Sequence, residues 1–149
     1  LKVFNKLRWN FVLLILDAFG ICEAIAWQSS EYTKKLDIHF DLNCLLEHID
    51  LEKGLQTTLF RIFQESVTNI VRHAKATEIQ VSMNYDNGKL IFEIVDNGIG
   101  IKKEAIDSSE SLGLVGMKER VHSWSGEVDF EGSTGKGTKV TITIPLTLK

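Results

Sequence analysis

The sequence predicts an α/β protein, a two-layer α/β sandwich with helices on one face of a mixed, mainly antiparallel sheet. Three observations carry this. Residues 59–76 keep one long apolar stripe at the helical period, through Leu59, Ile62, Phe63, Val67, Ile70, Val71 and Ala74. Residues 36–42, 78–85 and 89–95 have strand length and strand patterning, and the last two flank Asp86-Asn87-Gly88, a strong hairpin signal. The regular strand–helix–strand alternation of a doubly wound parallel sheet is absent.

The elements follow in order. Residues 11–32 are apolar in a helical pattern around Leu16, Phe19, Ile21, Ala24, Ile25, Trp27 and Tyr32. Gly20 marks a bend between two helices, because glycine inside a helix costs ~1 kcal/mol. Residues 36–42 alternate strictly, as a half-buried strand does. Asp50 is placed to cap the next helix, with Glu52 in its first turn, and that helix runs to about Ala74. In the hairpin that follows, 89–95 is the more apolar strand and belongs in the middle of the sheet. Residues 101–112 are polar and read as a mobile loop with at most one helical turn. A helix is expected over 113–124, then strands over 126–131 and 139–144, joined by the glycine-rich turn 132–137. Pro145 suits an edge or exit strand.

A length of 149 residues suits one domain with a sizeable core. The net charge of −3, with Lys and Arg scattered, gives no reason to expect a nucleic-acid partner. Cys22 and Cys44 are too few for a disulfide framework and read as small apolar residues in a reducing compartment. Cys44 and His48 are four apart, but His39, His73 and His122 sit in other elements and complete no zinc set. The apolar run Phe11–Leu16 is six residues, far short of the ~20 that span a bilayer, and no signal peptide is visible. The first residue is Leu, so the chain is expected to be a piece of a longer protein, with any sensor or anchor upstream.

Chemistry-bearing residues gather beside the long helix and in three glycine clusters. Glu65, Asn69 and His73 are spaced by four, with Arg72 three after Asn69, so they share one edge of the helix. A solvated polar flank would look the same. Asp96-Asn97-Gly98-Ile99-Gly100 ends a strand, where glycines let backbone approach a ligand and a carboxylate can accept from a heterocycle's amino group; a plain turn is the alternative. Gly113-Leu114-Val115-Gly116-Met117 opens a helix, whose unpaired N–H groups suit phosphates. Gly132-Ser-Thr-Gly-Lys-Gly-Thr138 is not a P-loop, because Lys136 precedes Gly137 and the segment leads into a strand. It reads as a turn whose end, Gly137-Thr138, borders a ligand.

Singly these signals are weak, but their order and spacing are not. The chain resembles the ATP-binding catalytic domain of a sensor histidine kinase, in the wider superfamily of gyrase, heat-shock protein 90 and MutL-type ATPases, whose fold is the Bergerat type. Glu65-x-x-x-Asn69-x-x-x-His73-Ala resembles the N box and Asp96-x-Gly98-x-Gly100 the G1 box. Gly113-Leu-Val-Gly116-Met-x-Glu-Arg120 resembles the G2 box, and Gly135-x-Gly137-Thr138 the last glycine motif. Gln64-Glu65, Gly116-Met-Lys-Glu-Arg-Val121 and the linker Leu16-Asp17-Ala-Phe-Gly20-Ile are most similar to the subfamily paired with helix-turn-helix response regulators. Trp9-Asn10 departs from its linkers, which often carry a proline after Leu-Arg.

The resemblance implies ATP and Mg²⁺ as cofactors, with Asp96 accepting from the adenine amino group and Thr138 adding a polar contact. Gly98, Ile99 and Gly100 would carry the backbone past the base and sugar. Asn69 would be the metal ligand. Arg72 and Lys75 would lie near the phosphates, which the N–H groups of Gly113, Leu114, Val115, Gly116 and Met117 would close over. Residues 101–112 would be the lid. Glu65 would polarise the attacking group or orient its proton, and His73 either touches phosphate or finishes the helix. Residues 1–30 would be a linker segment packing onto a catalytic domain of 31–149. The acceptor histidine would sit in a dimerisation domain upstream, since no histidine here has that setting. The implied partners are that domain, a response regulator and, in the full-length protein, a second copy. The domain would be cytoplasmic, with the whole protein cytoplasmic or anchored in the inner membrane. The rivals are a serine kinase of the anti-sigma type, which shares the fold, and a nucleotide-binding module without catalysis.

Overall fold

The computed structural model describes residues 6–46, 49–100, 114–132 and 135–147. Two helices come first, α1 (Lys6–Phe19) and α2 (Ile21–Leu36). Gly20 separates them at φ 90°, a left-handed value glycine adopts without Cβ strain. With no proline after Leu7-Arg8, α1 runs unbroken through Trp9-Asn10. Then come β1 (His39–Leu45), α3 (Lys53–His73), β2 (Glu78–Asp86), β3 (Lys89–Asp96), α4 (Leu114–His122), β4 (Glu127–Gly132) and β5 (Thr138–Pro145). The expected lid, Gly113 and His48 lie outside the described residues.

The sheet order is β1-β2-β3-β5-β4, which places β3 in the middle as its composition predicts. β1 and β2 are parallel, joined through α3, and every other pairing is antiparallel. Asn87 and Gly88 both have positive φ, 49° and 76°, so the β2–β3 hairpin closes through the two-residue turn that Asn-Gly favours.

Register sets which face is core. Val81 pairs with Ile94, Met83 with Phe92 and Phe92 with Ile142, and all are buried. The alternate residues, such as Ser82, Glu93 and Thr141, form the partly solvated face. α2 packs on β1, α3 on β3 and α4 on β4. α3 buries Leu55, Leu59, Phe60, Ile62, Phe63, Val67 and Ile70 at the helical period. α1 packs on α2 and α3, where Trp9 stacks on Phe60 at 6.0 Å and lies 4.5 Å under the Arg61 guanidinium. The division expected near residue 30 falls within α2. None of the described helices is long and apolar enough to cross a membrane.

Pro145 does fall where an exit strand tolerates it, as the last residue of β5, the last described strand, although β5 lies inside the sheet. Two expectations are corrected. Asp50 does not cap α3: Glu52 is the N-cap, without a side-chain cap bond, and Gln56 Nε2 instead donates to the Leu51 carbonyl at 2.9 Å. Cys22 and Cys44 are not separate apolar residues. They form a disulfide between α2 and β1, with Cα atoms 5.9 Å apart. Closing its 22-residue separation constrains the unfolded chain, an effect worth about 3 kcal/mol.

Candidate nucleotide site

The site is assembled where α3 ends. Glu65 and Asn69 are half-buried on α3, and Arg72 and His73 are exposed in its last turn, where the negative end of the helix dipole favours cations. Ala74 is the C-cap, and Lys75 follows at φ 52° in the left-handed region. That reversal turns the Ala74 carbonyl towards the loop after β3, where it accepts the Ile99 N–H at 2.7 Å. The Ile99 carbonyl in turn accepts the Gly135 N–H at 2.7 Å.

Asp96, the last residue of β3, is 4% exposed. Its Oδ1 accepts the Gly98 N–H at 2.8 Å. Burial raises its carboxyl above the ordinary value, and backbone hydrogen bonds from Gly98 and Thr138 pull it part of the way back. A carboxylate has about four acceptor positions, so two N–H bonds leave capacity for a ligand's amino group. The glycines matter here for packing. A Cβ on Gly98 would run into the Ala74 carbonyl, and one on Gly137, at φ 83°, into the Asp96 carbonyl. The G1-like loop, the helix end and the start of β5 close together only without those side chains.

α4 supplies the facing wall. Leu114 and Met117 are buried, so their side chains serve the core, while Val115 is 44% exposed and Gly116 opens on space. Contacts from this segment to an anion would come from its backbone N–H groups, which have no partner within the helix. A cavity of about 330 Å³ borders Gly137 and Thr138 but is lined by Val95, Glu131 and Lys139 of the partly solvated sheet face, away from the helices.

Two residues went unassigned in the sequence. Arg120 of α4 donates to Glu65 Oε2 at 2.6 Å, joining the two helices across the site. It stands in the G2-like motif, but a partner 55 positions away leaves no local signal. Asn97 accepts the N–H groups of Thr77 and Glu78 at 2.9 and 3.0 Å and donates to Thr77 Oγ1 at 2.9 Å. It braces the loop after β3 on the start of β2, where the sequence shows only an Asp-Asn-Gly turn.

Known proteins share this architecture. The sensor histidine kinase LiaS of Bacillus subtilis is 33% identical over 133 residues, covering 88% of this chain and 36% of that protein. The histidine-protein kinase/phosphatase DegS of the same organism is 33% identical over 140 residues, covering 91% of this chain and 36% of its own length. The chain thus spans little more than a third of these relatives. Among solved structures, the histidine kinase domain of the Erythrobacter litoralis EL346 blue-light activated kinase superposes with a TM-score of 0.75. It is 19% identical and covers 91% of this chain and 70% of that one. The likeness is one of fold. The profile of histidine kinase-, DNA gyrase B-, and HSP90-like ATPases matches residues 54–148, the segment that holds α3, both glycine loops and α4, and the chain belongs to that family.

Proposed function

We propose that this chain is the ATP-binding catalytic domain of a two-component sensor histidine kinase. It would hold ATP and donate the γ-phosphoryl group to a histidine on an upstream dimerisation domain of a homodimeric protein, for relay to a response regulator. Because ATP is an intracellular phosphodonor, the domain would work on the cytoplasmic side. The observation that carries this is the buried Asp96 carboxylate, cradled by N–H groups of Gly98 and Thr138, in a loop bonded to the C-terminal end of α3, the helix that bears Glu65 and Asn69.

The residues divide the work. Asp96 accepts from the adenine amino group, and Thr138 lies beside it. Gly98, Ile99 and Gly100 carry the backbone past the nucleoside. Arg72, Lys75 and the first N–H groups of α4 meet the phosphates, and Gly113 would extend that set. Glu65 orients the proton of the attacking imidazole, held by Arg120. Phosphoryl transfer is chiefly positioning and charge stabilisation, which suits a site without a strong base.

Magnesium fits this donor set. The described residues contain no cluster of three His, Cys, Asp or Glu that could hold a metal by themselves. Mg²⁺ commonly takes one or two protein oxygens and fills its shell with water and phosphate. Asn69 would supply that oxygen. The ion's contribution is to neutralise charge on the phosphates.

The test is phosphorylation of the full-length protein by ATP. The expected product is an acid-labile, alkali-stable phosphohistidine that is lost in Glu65→Gln. An acid-stable phosphoserine on a partner protein would instead assign the serine-kinase reading.

A further inference from the structure

We infer that Cys22 and Cys44 form a reversible thiol–disulfide site that latches the α1–α2 corner onto the catalytic sheet; this rests on the ATP-dependent kinase reading above. A domain that uses intracellular ATP works among reducing thiols, where disulfides are mostly transient and redox-sensing. The pair nevertheless has bonding geometry. Its Cα atoms are 5.9 Å apart, inside the range a disulfide needs. The two cysteines come from separate elements and are both half-buried.

Access and position complete the argument. Both cysteines line a cavity of about 510 Å³ between the α1–α2 corner and the segment leading to α3, within the size range of small-ligand pockets. Asp17, Glu23 and Asp50, all exposed, line the same cavity. Its reagent is therefore a small disulfide that is neutral or cationic, since an anionic one is repelled. Cys22 lies two residues after Gly20, the turn from which α1 leads back towards the upstream part of the protein. With the bond made, that corner is pinned to β1. With the bond broken, only side-chain packing holds it.

The exchange balances as follows. One thiolate attacks a small disulfide and releases one thiolate, forming a mixed disulfide. The second cysteine thiolate then attacks the first sulfur and releases the other. Two protein thiols are oxidised, one small disulfide is reduced to two thiols, and the two protons leave with the products.

The test uses the full-length protein equilibrated in thiol/disulfide buffers, with thiols counted by mass-tagging alkylation and phosphotransfer measured in the same samples. Cystamine should oxidise the pair faster than glutathione disulfide does. Oxidation should slow transfer to the upstream histidine by roughly 5- to 150-fold, the usual range of coupling between two sites, with nucleotide affinity unchanged. Cys22→Ser and Cys44→Ser should each transfer at the reduced protein's rate in every buffer. A pair that stays oxidised in excess dithiothreitol, or never oxidises, overturns the inference. So does a titrating pair with equal or faster transfer when oxidised. Failure to bind ATP in both redox states would overturn the kinase reading itself.

Discussion

Asp96 and Glu65 show how burial changes what a carboxylate can do. Because burial raises the Asp96 carboxyl above 3.8, the folded protein keeps a proton there that the unfolded chain gives up as pH rises from that value. Stability therefore falls as pH rises through the window between 3.8 and the raised value, and the cost of the buried charge is complete above it. Asp96→Asn cannot ionise and should lack this slope, while losing about tenfold or more in ATP affinity, the usual worth of a charged hydrogen bond. Urea midpoints against pH, with calorimetry of ATP binding, check both; identical pH slopes would clear Asp96 of the effect. Glu65 is different, being about a third exposed, as is Arg120. Such a pair contributes less than about 1 kcal/mol to stability. Arg120→Gln should barely move the melting temperature yet lower kcat by about tenfold or more, with KM for ATP unchanged. An unaltered kcat would reduce Arg120 to a structural tie. Neither contact was legible in the sequence. Spacing shows that Glu65 and Asn69 share a helix edge, but not that a residue 55 positions later faces it.

At the scale of elements, the strands, helices and their order were legible because apolar periodicity reports the core face. The joints between them were not. Gly137 packs on the Asp96 backbone where β3 ends and β5 begins, a contact between segments far apart in the chain. Gly137→Ala should destabilise by about 2–4 kcal/mol, combining left-handed strain with overpacking. Gly135 has nearly the same φ, 81°, but open space around it, so Gly135→Ala should cost only about 1 kcal/mol. Guanidinium unfolding of both variants gives the comparison, and equal losses would show that backbone conformation, not the contact, sets the cost. The start of α3 shows the same limit. Asp50 has the chemistry of a cap, but the helix begins after Glu52, and a glutamine one turn inside ties down the preceding loop.

In the whole molecule, α3 crosses the core and ends at the site, so nucleotide binding and global stability are linked. Saturating Mg-ATP at about 100 times its dissociation constant should add about 2.7 kcal/mol, a rise of roughly 5–11 °C in the melting temperature for a domain of this size. Thermal melts with Mg-ATP, with ATP plus EDTA, and with Asn69→Ala test the metal role. A variant that keeps the full Mg-dependent rise removes Asn69 from the metal. The sequence by itself determined the two-layer sandwich, the central place of β3 and the family's ordered motifs, because these are written in periodicity and short-range spacing. Only the tertiary structure decided that glycines serve close backbone packing, that Arg120 reaches Glu65, that Asn97 braces the loop and that Cys22 meets Cys44. Each of these joins residues distant in the chain, and such contacts exist only once the sheet and its helices have brought those segments together.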